Sequence, residues 1–324
     1  MLDHRRTSRE LEATRPRPYP PAMIVRVIIV NWNSGPWLAR SLASLRAHAG
    51  PGLAEVVVVD NASSDGSERI PLAPGERLIE TRANLGFAKA CNIGAAGATT
   101  PYLLFFNPDA ELREGTLQAA LAFMESPEAA DVAVCGIRLV GEDGAIQRHI
   151  SAFPTPATMF RNEQRELGFD HLSSRDVDHV IGAFYLIRRA VFEELGGFDE
   201  RFFVYLEDID LSWRVRQAGW RTHYLASAVG FHKGGGTSER VKAERLFYSL
   251  RSRLLYAGKN FSRGGALFVL AVTLLVEPFA RLARGLLGGR RGEMRQTLRA
   301  YRLLLGDLPR ILRTAFGGPR SSNG

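Results

Sequence analysis

Carboxylates stand at three points where the chain leaves a regular run, and an imidazole stands at a fourth. Asp60 closes the run 55–60 and is followed by Asn61-Ala62-Ser63-Ser64-Asp65-Gly66. Asp109 ends the turn Asn107-Pro108-Asp109 that follows the apolar run 102–106. Glu207-Asp208-Ile209-Asp210 opens a stretch that reads as a helix, and His232-Lys233 leads into Gly234-Gly235-Gly236-Thr237-Ser238. Such groups accept N–H donors, for example from a uracil or thymine ring, hold hard divalent cations and move protons. Each also has an ordinary structural use. Asp60 with Asn61, Ser63 and Ser64 suits a turn cap. Asn-Pro alone explains the 107–109 turn. Acids in a first helical turn complement the helix dipole. Asp210 and Arg214 form an i,i+4 pair, which marks Asp210 as structural rather than catalytic.

The elements that must position these residues alternate strand and helix. Residues 24–30 form a continuous β-branched run, the mark of a buried parallel strand. Residues 31–35 read as loop and 36–48 as helix. Strands are expected at 55–60, 77–81 and 102–106, and a helix at 87–98. This pattern predicts an α/β fold with an open, mostly parallel central sheet flanked by helices. Ligands of such sheets bind beyond the carboxyl ends of the strands. The clusters around Asn31, Asp60 and Asp109 each follow a strand directly, so they should converge on one cleft. Residues 141–178 are less regular and are expected to loop over it. Neither G-x-G-x-x-G nor G-x-x-x-x-G-K-[ST] occurs, so a dinucleotide enzyme and a P-loop NTPase are not signalled.

The chain has 324 residues, 45% hydrophobic and 23% charged, with a net charge of +8. The charge is uneven: from Arg251 onward there are 14 Lys/Arg and 3 Asp/Glu, a balance of +11, against −3 for the rest. A basic body would point to nucleic acid, and this body is not basic. Residues 266–276 are an apolar run broken by Glu277-Pro278, shorter than the about 20 residues a membrane span needs. Arg281, Arg284, Arg290, Arg291, Arg295 and Arg299 follow among Leu and Ala. That combination suits helices lying on an anionic membrane surface. The other occupant of the same face is the body of the protein or a second copy in a homo-oligomer. Cys91 and Cys135 are too few for a disulfide framework and read as reduced core thiols. Residues 1–22 are Arg- and Pro-rich without an apolar run, so they read as a disordered leader rather than a signal peptide.

Taken together, Val27-Ile28-Ile29-Val30-Asn31-Trp32-Asn33, Val59-Asp60-Asn61-Ala62-Ser63-Ser64-Asp65-Gly66-Ser67 and Asn84-Leu85-Gly86-Phe87-Ala88 resemble the nucleotide-sugar half of family 2 glycosyltransferases. Phe106-Asn107-Pro108-Asp109 is similar to that family's metal motif, with Asn107 in place of the first acid of the commoner D-x-D. Gly196-Gly197-Phe198-Asp199-Glu200, Phe202-Phe203, Glu207-Asp208 and Asp210-Leu211 are similar to its acceptor half. The resemblance runs from about residue 25 to about 238 and is nearest to rhamnosyltransferases acting on polyprenyl-diphosphate-linked sugars.

The resemblance implies a GT-A type nucleotide-diphospho-sugar transferase fold over residues 23–240, with a helical, membrane-associating extension over 241–324. It implies an inverting transfer of a sugar, rhamnose first, from a dTDP- or UDP-sugar to a hydroxyl of a polyprenyl-diphosphate-linked sugar or polysaccharide acceptor. The work would be done on the inner, cytoplasmic face of the cell membrane, in cell-envelope glycan synthesis. Asp208 is then the general base that takes the acceptor hydroxyl proton. Asp109 and His232 hold Mg²⁺ or Mn²⁺ against the departing diphosphate. Asp60 reads the base, with Asn31, Asn33, Asn84, Gly86, Phe87, Asn107 and Lys233 completing the nucleotide-sugar site. Gly182, Ala183, Glu207 and Arg148 face the acceptor. Trp32 and Phe87 either stack on the base or fill the core, and the glycine run after His232 closes as a lid. Two other readings stand beside this one. A nucleotidyltransferase-like enzyme would usually carry Lys or Arg in its first phosphate loop, which Asn31-Trp32-Asn33-Ser34-Gly35 lacks. A non-catalytic sugar-nucleotide-binding assembly protein would have no need to keep Asp60, Asp109 and Asp208 together.

Overall fold

The computed structural model describes residues 24–160, 170–234, 242–289 and 291–316. The expected leader (residues 1–22) and most of the expected lid lie outside them. Short β-branched and aliphatic runs form β1 (Val25–Asn31), β2 (Leu53–Asp60), β3 (Glu76–Glu80) and β4 (Tyr102–Phe106), all parallel, in spatial order β3-β2-β1-β4. Helices α1 (Trp37–His48) and α2 (Phe87–Ala95) cover opposite faces. Val27 and Ile29 pack with Leu38 and Leu42 of α1, while Ile28 and Val30 pack with Ala88 and Cys91 of α2. Every residue of β1 is therefore buried, as a strand covered on both faces requires.

The expected helix at 87–98 stops at Ala95. Gly97 turns left-handed at φ +65°. The buried Arg26 guanidinium donates to the carbonyls of Gly94, Ala95, Ala96 and Gly97 at 2.9–3.3 Å, and these take the place of further helical partners.

Beyond β4 come β5 (Ala110–Glu111), α3 (Thr116–Met124), β6 (Val132–Val140), β7 (Ile150–Ser151), β8 (Arg175–Val177), β9 (His179–Val180), β10 (Phe184–Arg188), α4 (Arg189–Glu194), α5 (Glu207–Gln217) and β11 (Arg221–His232). The sheet continues from β4 as β10-β6-β11-β5. Strand β10 runs antiparallel to both neighbours and β11 parallel to β6. Strand β8 pairs with β11 off this path, and β7 and β9 form a separate ribbon. The outcome is the mixed, mostly parallel sheet flanked by helices that the alternating pattern predicts.

The extension comprises α6 (Lys242–Asn260), α7 (Arg263–Ala271), a π turn (Val272–Val276), α8 (Glu277–Leu287) and α9 (Arg291–Phe316). Here the expectation of a break at Glu277-Pro278 is corrected. Residues Arg263–Leu287 form one continuous 25-residue helix, whose most apolar window has mean hydropathy 1.9 and is 17% buried. By length and composition alone it could cross a membrane. The π turn explains how the helix survives Pro278. Glu277 N–H reaches back five residues to Val272 O. In that register Thr273 O would face the N–H that Pro278 lacks, and the Tyr301 hydroxyl donates to it instead at 3.0 Å. Helix α6 is built into the body. Leu250 and Leu254 share a core with Phe202 and Ile209, and Lys259 Nζ lies 2.7 Å from both Asp199 and Asp210.

Candidate active site

The strand ends converge on a cavity of about 730 Å³ bounded by Trp32, Asn61, Asn84, Gly86, Phe87, Asn107–Asp109, Gly182, Glu207, Asp208, His232 and the α6 residues Arg245, Tyr248 and Arg253. On the β1–β2 side, register places Asn31 opposite Asp60. Asn31 is fully buried, and its amide donates to Asp60, Ser63 and Ser67 at 2.9–3.1 Å. Asp60 also accepts from Ser63 N–H at 3.1 Å, while Asn33 accepts from Ser64 N–H at 2.8 Å. Asn31, Asn33 and Asp60 thus knit the two post-strand loops together behind the cavity wall. In Asp60 the turn-capping use is realised.

Asn61, absent from the expected site, does the bracing nearer the cavity. It donates to Asn84 Oδ1 at 2.9 Å and accepts from Leu85 N–H at 2.9 Å. Asn84 in turn accepts from Gly86 N–H at 3.0 Å. Gly86 has φ +87°, and a Cβ there would come within 2.4 Å of Phe203 O, so only glycine fits where Phe87 N–H bonds Phe203 O at 2.6 Å. Asn84, Gly86 and Phe87 all line the cavity. Trp32 lines it as well, and Phe87 meets Phe198 edge-on at 6.4 Å. Both rings therefore belong to the wall.

The metal-like pair is set by the short β5. Ala110 pairs with His232 across β5 and β11, which brings Asp109 beside the imidazole. Asp109 Oδ1 and His232 Nε2 are 3.4 Å apart, and both residues are largely buried. Two ligands in adjacent positions of an octahedral Mg²⁺ or Mn²⁺ shell lie about 3 Å apart, so the pair fits one cation. The tautomer fits too. Gln147 Nε2 donates to His232 O. That orients the amide so that Oε1 faces His232 Nδ1 at 2.9 Å. Nδ1 is therefore the protonated nitrogen, and Nε2, beside Asp109, is left as an acceptor that faces the Asn107 amide at 3.3 Å. Among the described residues no cluster of three or more His, Cys, Asp or Glu could hold a metal, so any cation would need further oxygens from a ligand or water. Lys233 points away from the cavity to Glu142 at 3.0 Å, over the Trp37 ring.

On the opposite wall, α5 begins with Glu207, Asp208 and Asp210. Asp210 is fully buried and neutralised by Arg214 and Lys259, which assigns it the structural role. Asp208 keeps 17% of its side chain accessible. Its Oδ2 accepts from Gly182 N–H at 3.1 Å and lies 3.3 Å from His179 Nε2, and its Oδ1 accepts from Ile209 N–H at 2.8 Å. Burial works against its charge, but His179 and the backbone N–H groups hold its carboxyl below the ordinary Asp value. Glu207, 5% exposed, goes the other way: burial and then the Asp208 charge raise it well above the ordinary Glu value. Their surroundings therefore push the two neighbouring carboxyls in opposite directions, Asp208 toward the anion and Glu207 toward the acid. Ala183 O accepts from Asn107 N–H at 3.2 Å, so the Gly182-Ala183 turn ties the metal-like side to the Asp208 side. Arg148 lines the cavity with an exposed side chain.

The sequence profile described as glycosyl transferase family 2 matches residues 26–196. The chain is 30% identical over 271 residues to the N-acetylglucosaminyl-diphospho-decaprenol L-rhamnosyltransferase of Mycobacterium tuberculosis, covering 74% of this chain and 85% of that one. It is 27% identical over 183 residues to the rhamnosyltransferase WbbL of Escherichia coli, covering 53% and 69%. Among solved structures, the mannosyltransferase PcManGT from Pyrobaculum calidifontis in complex with GDP-Man and Mn²⁺ superposes with a TM-score of 0.51 at 19% identity, over 90% of each chain. GalNAc-T7 with UDP, GalNAc and Mn²⁺ does so with a TM-score of 0.52 at 19% identity, over 73% of this chain and 50% of that one. These two likenesses concern the fold.

Proposed function

Because the chain belongs to glycosyl transferase family 2 and is rhamnosyltransferase-like, we propose that it transfers rhamnose from a dTDP- or UDP-linked donor, with inversion, to a hydroxyl of a polyprenyl-diphosphate-linked sugar. The observation that carries this reading is the placement of the accessible Asp208 carboxylate across one cavity from the Asp109–His232 pair. The donor's base lies along Trp32 and Phe87, above the turn braced by Asn61 and Asn84. Asp109 and His232 would hold a divalent cation, which when bound neutralises charge on the departing diphosphate. Asp208 accepts the proton of the acceptor hydroxyl as it attacks the anomeric carbon from the opposite side. Incubating the enzyme with a panel of nucleotide sugars and a polyprenyl-diphosphate-linked N-acetylglucosamine tests it. Transfer of rhamnose with an inverted anomeric centre is expected; transfer of another sugar, or retention, would refute the corresponding part.

The same reading places the chain on the inner face of a membrane, with helix α7–α8 lying along the surface. Leu275, Phe279, Leu286 and Leu287 are all at least 67% exposed, beside Arg284, Arg291 and Arg295. Anionic vesicles are expected to bind the protein at low salt and release it at high salt. Leu275→Glu with Phe279→Glu should weaken binding at least about tenfold. Substitution is a cleaner test than truncation, because Ala315 of α9 packs on Gly258 of α6 and Asp307 pairs with Arg251 at 2.9 Å. Binding that survives high salt and alkaline carbonate would mean that the helix crosses the bilayer; no binding to anionic vesicles would remove the membrane role.

A further inference from the structure

Asp208 is joined to a buried side chain that the expected site does not contain. His179 on β9 is 3% exposed. Its Nδ1 lies 3.2 Å from Ser151 Oγ on β7, the partner strand of the ribbon, and its Nε2 faces Asp208 Oδ2 at 3.3 Å. Nε2 makes no well-aligned hydrogen bond among the described residues, so Asp208 is the anion that can satisfy it. Two bare lone pairs would repel at that distance. The arrangement that satisfies every atom has Ser151 O–H donating to Nδ1 and Nε2–H turned to the carboxylate. Catalytic contacts of this length commonly tighten once substrate is bound.

We propose that His179 is the positioning residue of the base, holding the Asp208 carboxylate anionic and aimed at the acceptor hydroxyl. The proposal rests on the assignment of Asp208 as the base. Without His179, the Gly182 and Ile209 N–H groups would still orient Asp208. No side chain would then offset the cost of burying its charge. The other groups facing this point do not carry that load. Asp210 is already neutralised by Arg214 and Lys259. Tyr185 on β10 and Cys91 on α2 are buried and held protonated well above their ordinary values. Ser151 acts one step back, by fixing which imidazole nitrogen carries the proton.

The sign of the effect follows from the charge. A partner that favours the carboxylate lowers its pKa, so removing it raises the pKa and moves the acid limb of the kcat/KM profile to higher pH. His179→Ala is expected to shift that limb up by about one pH unit and to lower kcat about tenfold, with the donor dissociation constant unchanged. His179→Gln retains an N–H donor and should recover much of both. Ser151→Ala, which leaves the pair in place, should move the limb less and in the same direction. An acid limb that stays put in folded His179→Ala overturns the proposal, as does a Gln variant no better than Ala. Asp208→Asn in the same assay keeps the two questions apart. If it is inactive while the limb does not move in His179→Ala, only the role of His179 is lost. If it is active, the base itself is misassigned and the role of His179 falls with it.

Discussion

Asp208→Asn should lose turnover by at least about two orders of magnitude, the usual scale of a general base, with a near-normal donor dissociation constant. The amide is almost isosteric, keeps an oxygen for the Gly182 N–H, and cannot take a proton. Asp208 sits on the α5 wall while the metal-like pair sits on the β5–β11 wall, so donor binding and proton removal are separable in space. The loss should therefore fall on kcat rather than on donor affinity. The neighbouring acids sharpen the test. Asp210→Asn leaves Lys259 and Arg214 without their buried anion, so its expected signature is a lower melting temperature. Glu207→Gln replaces a carboxyl whose burial favours the neutral form and should keep most activity. A dead Glu207→Gln beside an active Asp208→Asn would place the base on the wrong residue.

Removing the cation should matter as much. Activity is expected to require Mg²⁺ or Mn²⁺, and Asp109→Ala should cost about 10²–10³-fold, the range seen when one stabiliser of developing charge is deleted. His232→Ala should weaken the metal dependence as well. Gln147→Ala should do so by about 10–100-fold in metal affinity, because it releases the tautomer that points Nε2 at Asp109. Metal-dependent calorimetry with the nucleoside diphosphate alone reads these effects without turnover. Full activity in excess EDTA would refute the metal role.

The Asp210–Arg214 pair can be read from its i,i+4 spacing, whereas Asp109, His232 and Asp208 are singled out by the family resemblance, their local patterns suiting turn and dipole roles equally well. Periodicity and turn chemistry act within a few residues, but Asp109 meets His232 only through the pairing of β5 with β11. The loop-bracing contacts of Asn31, Asn33 and Asp60 are not separable in sequence from ligand contact, because a capping Asp and a base-reading Asp have the same local neighbours. Gln147, His179 and Asn61 act through partners 85, 29 and 23 residues away, and no local pattern marks them. The apolar run up to Ile187 reads as a strand, but the same limit hid the antiparallel direction of β10 against β4, which depends on a long excursion of the chain. It also hid the persistence of the helix through Pro278, which needs a hydroxyl from Tyr301 on another helix.

Lys259 is the last basic residue of α6, and it ends between two carboxylates of the preceding body, Asp199 and Asp210. In engineering terms, the molecule is therefore not a catalytic module with an interchangeable tail. Exchanging the C-terminal helices for those of another chain would leave buried Asp210, two residues from Asp208, with only Arg214 to balance it. It would also strip the cavity of Arg245, Tyr248 and Arg253. A cut at the glycine-rich stretch, where the sequence alone would invite one, therefore divides a single packed unit, and a cut after α6 would part it from the Ala315 and Asp307 contacts of α9.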